Sequence, residues 1–125
     1  KVALGMGADV TILNRSISER LIKFQKKHSS QLSIDLSTQV NIEQHLSSTD
    51  LVIGAVLVAG ASAPKLITRD MLKLMKKGSV LVDVSIDQGG CFETSKVTTH
   101  DKPTYVVDDI IHYCVGNMPG AVAQT

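Results

Sequence analysis

The sequence predicts an α/β domain, a parallel sheet with flanking helices, and three observations carry that expectation. LVIGAVLV, Leu51 to Val58, and VLVDV, Val80 to Val84, are nearly continuous in apolar residues, as strands covered on both faces are. Two shorter runs with strand character precede them, at Val10 to Leu13 and Leu32 to Leu36. Between the runs lie segments with helical spacing and helix-end residues, so the elements alternate.

Taken in order, KVALGMG reads as the last turns of a helix stopped by Gly7. The chain opens at Lys1 rather than Met, and a fragment whose beginning lies upstream is expected. Val10 to Leu13 is the first β-branched strand. Ser16 stands three residues before Glu19, a capping-box spacing that predicts a helix through about Lys27, with Ile17, Leu21 and Phe24 inward. Leu32 to Leu36 alternates apolar and polar residues as a strand does. A shorter helix, about Asn41 to Leu46, leads to Asp50 and the first apolar run.

After that run, GASAPKLI carries small residues and Pro64 up to Thr68, a good N-cap. Met71, Leu72, Leu74 and Met75 then predict a helix ended by Lys76, Lys77 and Gly78, basic residues where the helix dipole favours them. Val80 to Val84 is the next buried strand. Ser85 to Pro103 is irregular and too long for a mere connector. Two short strands are expected at Tyr105 to Val107 and Ile111 to Val115, before GNMPGAVAQT.

This order argues for right-handed crossovers and a Rossmann-like domain. In that fold a Gly-rich turn after a central first strand cradles a pyrophosphate. No GxGxxG occurs here, and the G-x-G of Gly5 and Gly7 sits at a helix end, where it cannot serve. The first strand and its turn are therefore expected to be missing, leaving a central gap in the sheet and unpaired edges.

At 125 residues the chain is one domain by length and long enough for a real core. Its 43% apolar and 20% charged residues are those of an ordinary globular protein. A net charge of +1 supplies no field to gather nucleic acid or an anionic membrane. With no Trp, two Phe and two Tyr, stacking platforms for single strands are not expected. The longest apolar stretch, Leu51 to Ala61, is too short to span a bilayer, and no signal-peptide pattern precedes it. Two cysteines, Cys91 and Cys114, do not make a disulfide scaffold, so the cytoplasm is the expected compartment.

Ligands on open α/β sheets bind beyond the carboxyl ends of the strands. The end of the second strand of such a domain usually meets the adenosine ribose through an acidic residue; here Asn14 stands there, followed by Arg15. Asn14 can bond a hydroxyl but brings no charge to repel a 2′-phosphate, and Arg15 would attract one; a polar strand end with a solvated Arg fits equally. Ala55 to Val58 and Val84 to Asp87 end the two apolar strands. Asp83 lies inside its strand, where neighbouring backbone would satisfy it. Asp87 lies past the end, before Gly89 and Gly90, which allow close backbone approach. A carboxylate there can orient a ribose or move a proton, or it can simply accept from loop amides. Residue types alone leave both readings open. Cys91, His100, His112 and Cys114 do not have the spacing of a zinc site, so no metal is expected.

Four segments resemble alanine dehydrogenase: GAVLV-x-GA-x-APKLIT, VDVSIDQGGCFET, VTTHDKPTYVVDD and HYCVGNMPGAV. They cover about two-thirds of the chain in the right order, and IDQGGCFE with YCV-x-NMP is far more specific than a lone glycine motif. LGMGADVTIL and the helix after it are similar to the same family's second strand and helix. The resemblance implies part of an NAD(H)-binding domain, residues 1 to 125, whose substrate domain lies outside the chain. The implied reaction oxidatively deaminates L-alanine to pyruvate and ammonia; hydride goes to NAD, and water hydrolyses the resulting imine.

By that resemblance Asp87 is catalytic and lies by the nicotinamide ribose, while the His, Arg and Lys that complete the family's site belong to the other domain. Cofactor positions carry over to Asn14, Ser37, Ala55, Val56, Leu57, Val84, Ser85, Ile86, Asp87, Lys96, Val115, Gly116, Asn117 and Met118. The family also implies a homo-oligomer, commonly a hexamer. Asn14 stands where Asp is usual, Ala59 where Pro is usual and Lys96 where Arg is usual. The rival resemblance is to the related domain of proton-translocating nicotinamide nucleotide transhydrogenase, which shares APKLITRDM-like and GSV-x-VD segments but reads differently after VD. A binding or interaction domain without catalysis is the alternative of another class.

Overall fold

In the computed structural model of the chain, residues 1–122 are described. They divide into two compact units, residues 1–44 and the chain from His45 onward.

The first unit opens with α1 (Val2–Gly5), ended by Gly7 in the left-handed region at φ +86°. β1 (Val10–Asn14) pairs in parallel with β2 (Leu32–Leu36), Val10 opposite Leu32 and Asn14 opposite Leu36. α2 (Glu19–Lys27) joins them. Its cap is Ser18, whose hydroxyl accepts the Leu21 N–H at 3.3 Å, and not Ser16. The Ser16 carbonyl accepts the Asn14 side-chain amide at 3.0 Å, in the turn that precedes the helix. Leu21 and Phe24 are half-buried as expected, whereas Ile17 is exposed. α3 (Gln39–Leu46) starts two residues earlier than expected, because the Thr38 hydroxyl and carbonyl accept the N–H groups of Asn41 and Ile42.

The second unit holds a sheet in the order β3 (Leu51–Gly54), β4 (Val80–Asp83), β6 (Ile110–Tyr113), β5 (Thr104–Val107). β3, β4 and β6 run parallel, and β5 lies antiparallel at the edge. The β5–β6 hairpin turns on Asp108 and Asp109, both at positive φ, the geometry of a two-residue hairpin. The expected parallel sheet is thus two sheets, one of two strands and one of four, with β1 and β3 each hydrogen-bonded to one neighbour.

Side chains alternate across the four strands. Leu81, Asp83, Ile110 and His112 are buried on one face. They pack with Ile67, Met71, Leu72, Met75, Ile86, Cys91, Phe92, Cys114 and Val115 into the core of this unit. The opposite face keeps Leu51 and Ile53 more than half exposed.

Two expectations are corrected here. The strand read as Leu51 to Val58 stops at Gly54, because the Ser85 hydroxyl takes both backbone groups of Val56 that a longer ladder would need. The helix expected after Thr68 is a five-residue 3₁₀ turn, Asp70–Leu74. Met75 bonds Leu72 and leaves in extended conformation, and Gly78 at φ +83° reverses the chain. Met71 and Leu72 are buried from within this turn and Met75 from just past it, while Leu74 is 45% exposed.

Candidate functional site

Three loops leave the carboxyl ends of the parallel strands β3, β4 and β6, and they are stitched to one another. Val56 donates its N–H to Ser85 Oγ at 2.7 Å, and that hydroxyl donates to the Val56 carbonyl at 2.8 Å. Val58 N–H reaches Gln88 Oε1 at 3.3 Å, and Ala63 N–H the Gln88 carbonyl at 3.1 Å. Lys65 Nζ donates to the carbonyls of Gly89 and Gly90 at 2.6 and 2.7 Å. The segment after β4, Val84–Gln88, is itself a 3₁₀ turn, and Gly89 and Gly90 follow at φ +92° and +81°.

Asp87 is exposed at the crest of this turn. Both its carboxylate oxygens accept the backbone N–H of Asn117, each at 3.1 Å, so IDQGGC and GNMP meet at one point. Asn117 itself sits at a positive φ of 52°. Gly116 beside it fits closely: a Cβ would stand 3.2 Å from Cγ2 of the exposed Val97, which would have to give by a few tenths of an ångström, and 3.5 Å from Asp87 Oδ1, an ordinary contact. A hollow opens against Asp87 and Gln88, walled by Val58, Gly60, Ala61 and Ser62.

The other expected residues fall in distinguishable places. Ala55 and Leu57 are exposed and Val56 is half-buried, on the loop after β3. Val84 is 40% exposed, while Ser85 and Ile86 are buried, so a ligand would meet those two through backbone. Val115 is buried and Met118 half-buried at the start of a 3₁₀ turn. Lys96 lies elsewhere. Its N–H donates to Tyr105 Oη at 2.8 Å and its ammonium stands 4.6 Å over the Tyr105 ring, in a second hollow with Arg69 and Glu93. In the first unit, Asn14 and Ser37 come together at the ends of β1 and β2, the Ser37 N–H donating to the Asn14 carbonyl at 2.9 Å.

Sequence reasoning missed Gln88 and Lys65. Gln88 could have been taken with the IDQGG signature; nothing in spacing ties Lys65 to glycines 24 and 25 positions away. Asp83 is fully buried and satisfied by the backbone, as expected, and also by side chains. Cys91 is buried beside it; burial first, and then the Asp83 charge, push its thiol up to about 12, which makes it inert near neutral pH.

Comparison with known proteins gives consistent results. The family described as alanine dehydrogenase/PNT, C-terminal domain matches residues 1–125. The chain is 61% identical to an alanine dehydrogenase of Halomonas elongata, over all of its own length and 33% of that protein. It is 52% identical to alanine dehydrogenase 2 of Staphylococcus aureus, over all of its length and 34% of that protein. Among solved structures, an L-alanine dehydrogenase superposes with a TM-score of 0.87 at 45% identity, covering 97% of the chain and 33% of its counterpart. A transhydrogenase from Sinorhizobium meliloti superposes with a TM-score of 0.77 at 26% identity, with the same coverage. The chain thus spans about a third of the length of the relatives it matches.

Proposed function

We propose, because the chain belongs to the alanine dehydrogenase/PNT C-terminal domain family across residues 1–125, that it is part of the NAD(H)-binding domain of an L-alanine dehydrogenase. The reaction is the reversible oxidative deamination of L-alanine to pyruvate and ammonia. The observation that carries this reading is the exposed Asp87 carboxylate on the ligand-facing loop rim, gripped by the Asn117 N–H.

The residues present fit a nicotinamide riboside. Each oxygen of Asp87 has acceptor capacity beyond the bond from Asn117, enough to take ribose hydroxyls. Leu57 and Val84 offer exposed apolar surface for a ring face. NAD, when bound, supplies the hydride acceptor. Asp87 orients the ribose and, by family resemblance, is the group to take part in proton transfer at the reacting end. Asn14 and Ser37 serve the adenosine end, and Lys96 is the remaining cofactor contact by resemblance. The reading carries a homo-oligomer, hexameric as in the family, and a cytoplasmic setting, with which two free, buried cysteines agree. Among the described residues, no helix is long and apolar enough to cross a membrane.

The test is Asp87→Asn in the full-length protein. Turnover with L-alanine and NAD is expected to fall about 100-fold or more, with NAD affinity changed far less. Unchanged turnover would make Asp87 structural and remove its catalytic role, whereas a parent protein without alanine-dependent NAD reduction would remove the dehydrogenase reading. The likeness to a transhydrogenase keeps that nucleotide domain as a second reading, which hydride exchange between two nucleotides without alanine would favour. NAD binding with neither activity would favour a binding module.

A further inference from the structure

We propose that Asp83 is a positioning residue for Asp87, an inference that rests on the reading of Asp87 given above. Asp83 ends β4 with 0% exposure, at a place where another aliphatic residue would continue the strand. Its carboxylate gathers four donors instead. Oδ1 accepts the Ser85 N–H at 3.0 Å and the Cys91 thiol at 3.5 Å. Oδ2 accepts the Cys91 N–H at 2.9 Å and the Ser95 hydroxyl.

Ser85 and Cys91 bracket the turn that bears Asp87, so one side chain clamps the outgoing and the returning strand of that loop. The return passes tightly over the clamp: a Cβ on Gly90 would stand 2.8 Å from Asp83 Oδ2 and 2.8 Å from Ser95 Cβ. A buried carboxylate is costly unless its lone pairs are satisfied, so these donors have a strong reason to stay. Loosening them releases both ends of a turn whose crest must hold Asp87 on the Asn117 N–H. Misplacement of a reacting group by about 1 Å is enough to cost orders of magnitude in rate.

The experiment is a double-mutant cycle in the full-length enzyme, with Asp83→Asn, Asp87→Asn and both together. The carboxamide turns one acceptor into a donor facing other donors. Asp83→Asn alone is expected to lower kcat about 10- to 100-fold while KM for NAD moves less than about threefold. In the Asp87→Asn background it should add nothing, because the group it positions is gone. The same fold loss in both backgrounds, or unchanged turnover, would overturn the proposal.

Amide exchange at Asn117 gives a readout independent of catalysis, expected to quicken about tenfold in Asp83→Asn; unchanged exchange would also overturn it. If Asp83→Asn does not fold, Ser95→Ala removes a single donor. It should cost about 2- to 5-fold in kcat, again only while Asp87 is present; no loss overturns the role. Full turnover in Asp87→Asn alone would instead remove the reading of Asp87 beneath it, and the positioning role with it.

Discussion

The Ser85 hydroxyl is bonded twice to one residue, accepting from the Val56 N–H at 2.7 Å and donating to the Val56 carbonyl at 2.8 Å. A single buried oxygen thus stands in for a strand partner and turns the chain out of β3 into the loop that walls the Asp87 hollow. Ser85→Ala would leave both Val56 groups without that partner, at a cost of about 1–3 kcal/mol. Denaturant unfolding followed by circular dichroism is the check. A midpoint unchanged from the parent would mean that the loop finds other partners at no cost.

Glycine is required at the end of β3 for a different reason. A Cβ on Gly54 would stand 2.3 Å from Cys91 Sγ and 2.6 Å from the Phe92 ring, both fully buried. Gly54→Ala should therefore cost at least the 1–3 kcal/mol typical of overpacking, roughly. Gly60→Ala meets open space but a φ of +69°, and should cost only about 1 kcal/mol. The order of the two unfolding midpoints is the test; a reversal would mean that the core at Cys91 and Phe92 yields more readily than the backbone.

Much of this fold was legible in the sequence where the cause is local. β2 begins and ends at Leu32 and Leu36 as the alternation requires, and α2 ends at Lys27. What was not legible depends on partners far along the chain. β3 is cut short by a hydroxyl 29 positions away, and Asp87 finds its N–H partner 30 positions on. The segment after Thr68 carries helical spacing, but the short span before Gly78 tightens it to a 3₁₀ turn. Asp87 could be placed beyond a strand end because that rule concerns a strand's direction; its grip on Asn117 could not, because that requires the whole sheet to be assembled.

His112 makes stability depend on pH. It is fully buried on β6, stacked against Tyr105 at 4.9 Å. Its Nδ1 lies 2.9 Å from the Ile110 carbonyl, which can only accept, so Nδ1 carries the proton. Nε2 then accepts from the Thr94 hydroxyl at 2.7 Å. Burial pushes the imidazole below its ordinary value, so the unfolded chain binds a proton more readily than the folded one. The contribution of neutral His112 is therefore fully present above about pH 6.5 and is lost as pH falls from there toward the depressed folded value. The slope from this residue is at most about 1.4 kcal/mol per pH unit. Unfolding measured between pH 5 and 8 should be steeper for the parent than for His112→Gln. Parallel slopes would mean that the ring protonates equally in both states.

On the proposed reading, Asn14 bears on which nicotinamide nucleotide the full-length protein takes. It closes β1 beside Ser37, and its side-chain amide is turned onto the Ser16 carbonyl at 3.0 Å. A carboxylate in its place could not donate there, so Asp would lose that bond and face the strand-end opening. It would then accept from ribose hydroxyls and repel a 2′-phosphate, whereas Asn14 does not repel one and Arg15 follows it at an exposed position. Two unit charges about 4 Å apart near a protein surface interact by roughly 1–4 kcal/mol, so even the low end is worth severalfold in affinity. Asn14→Asp is expected to raise the NAD over NADP ratio of kcat/KM about tenfold, mainly by weakening NADP. Equal ratios before and after would place the 2′-position away from this strand end and leave Asn14 as a turn residue.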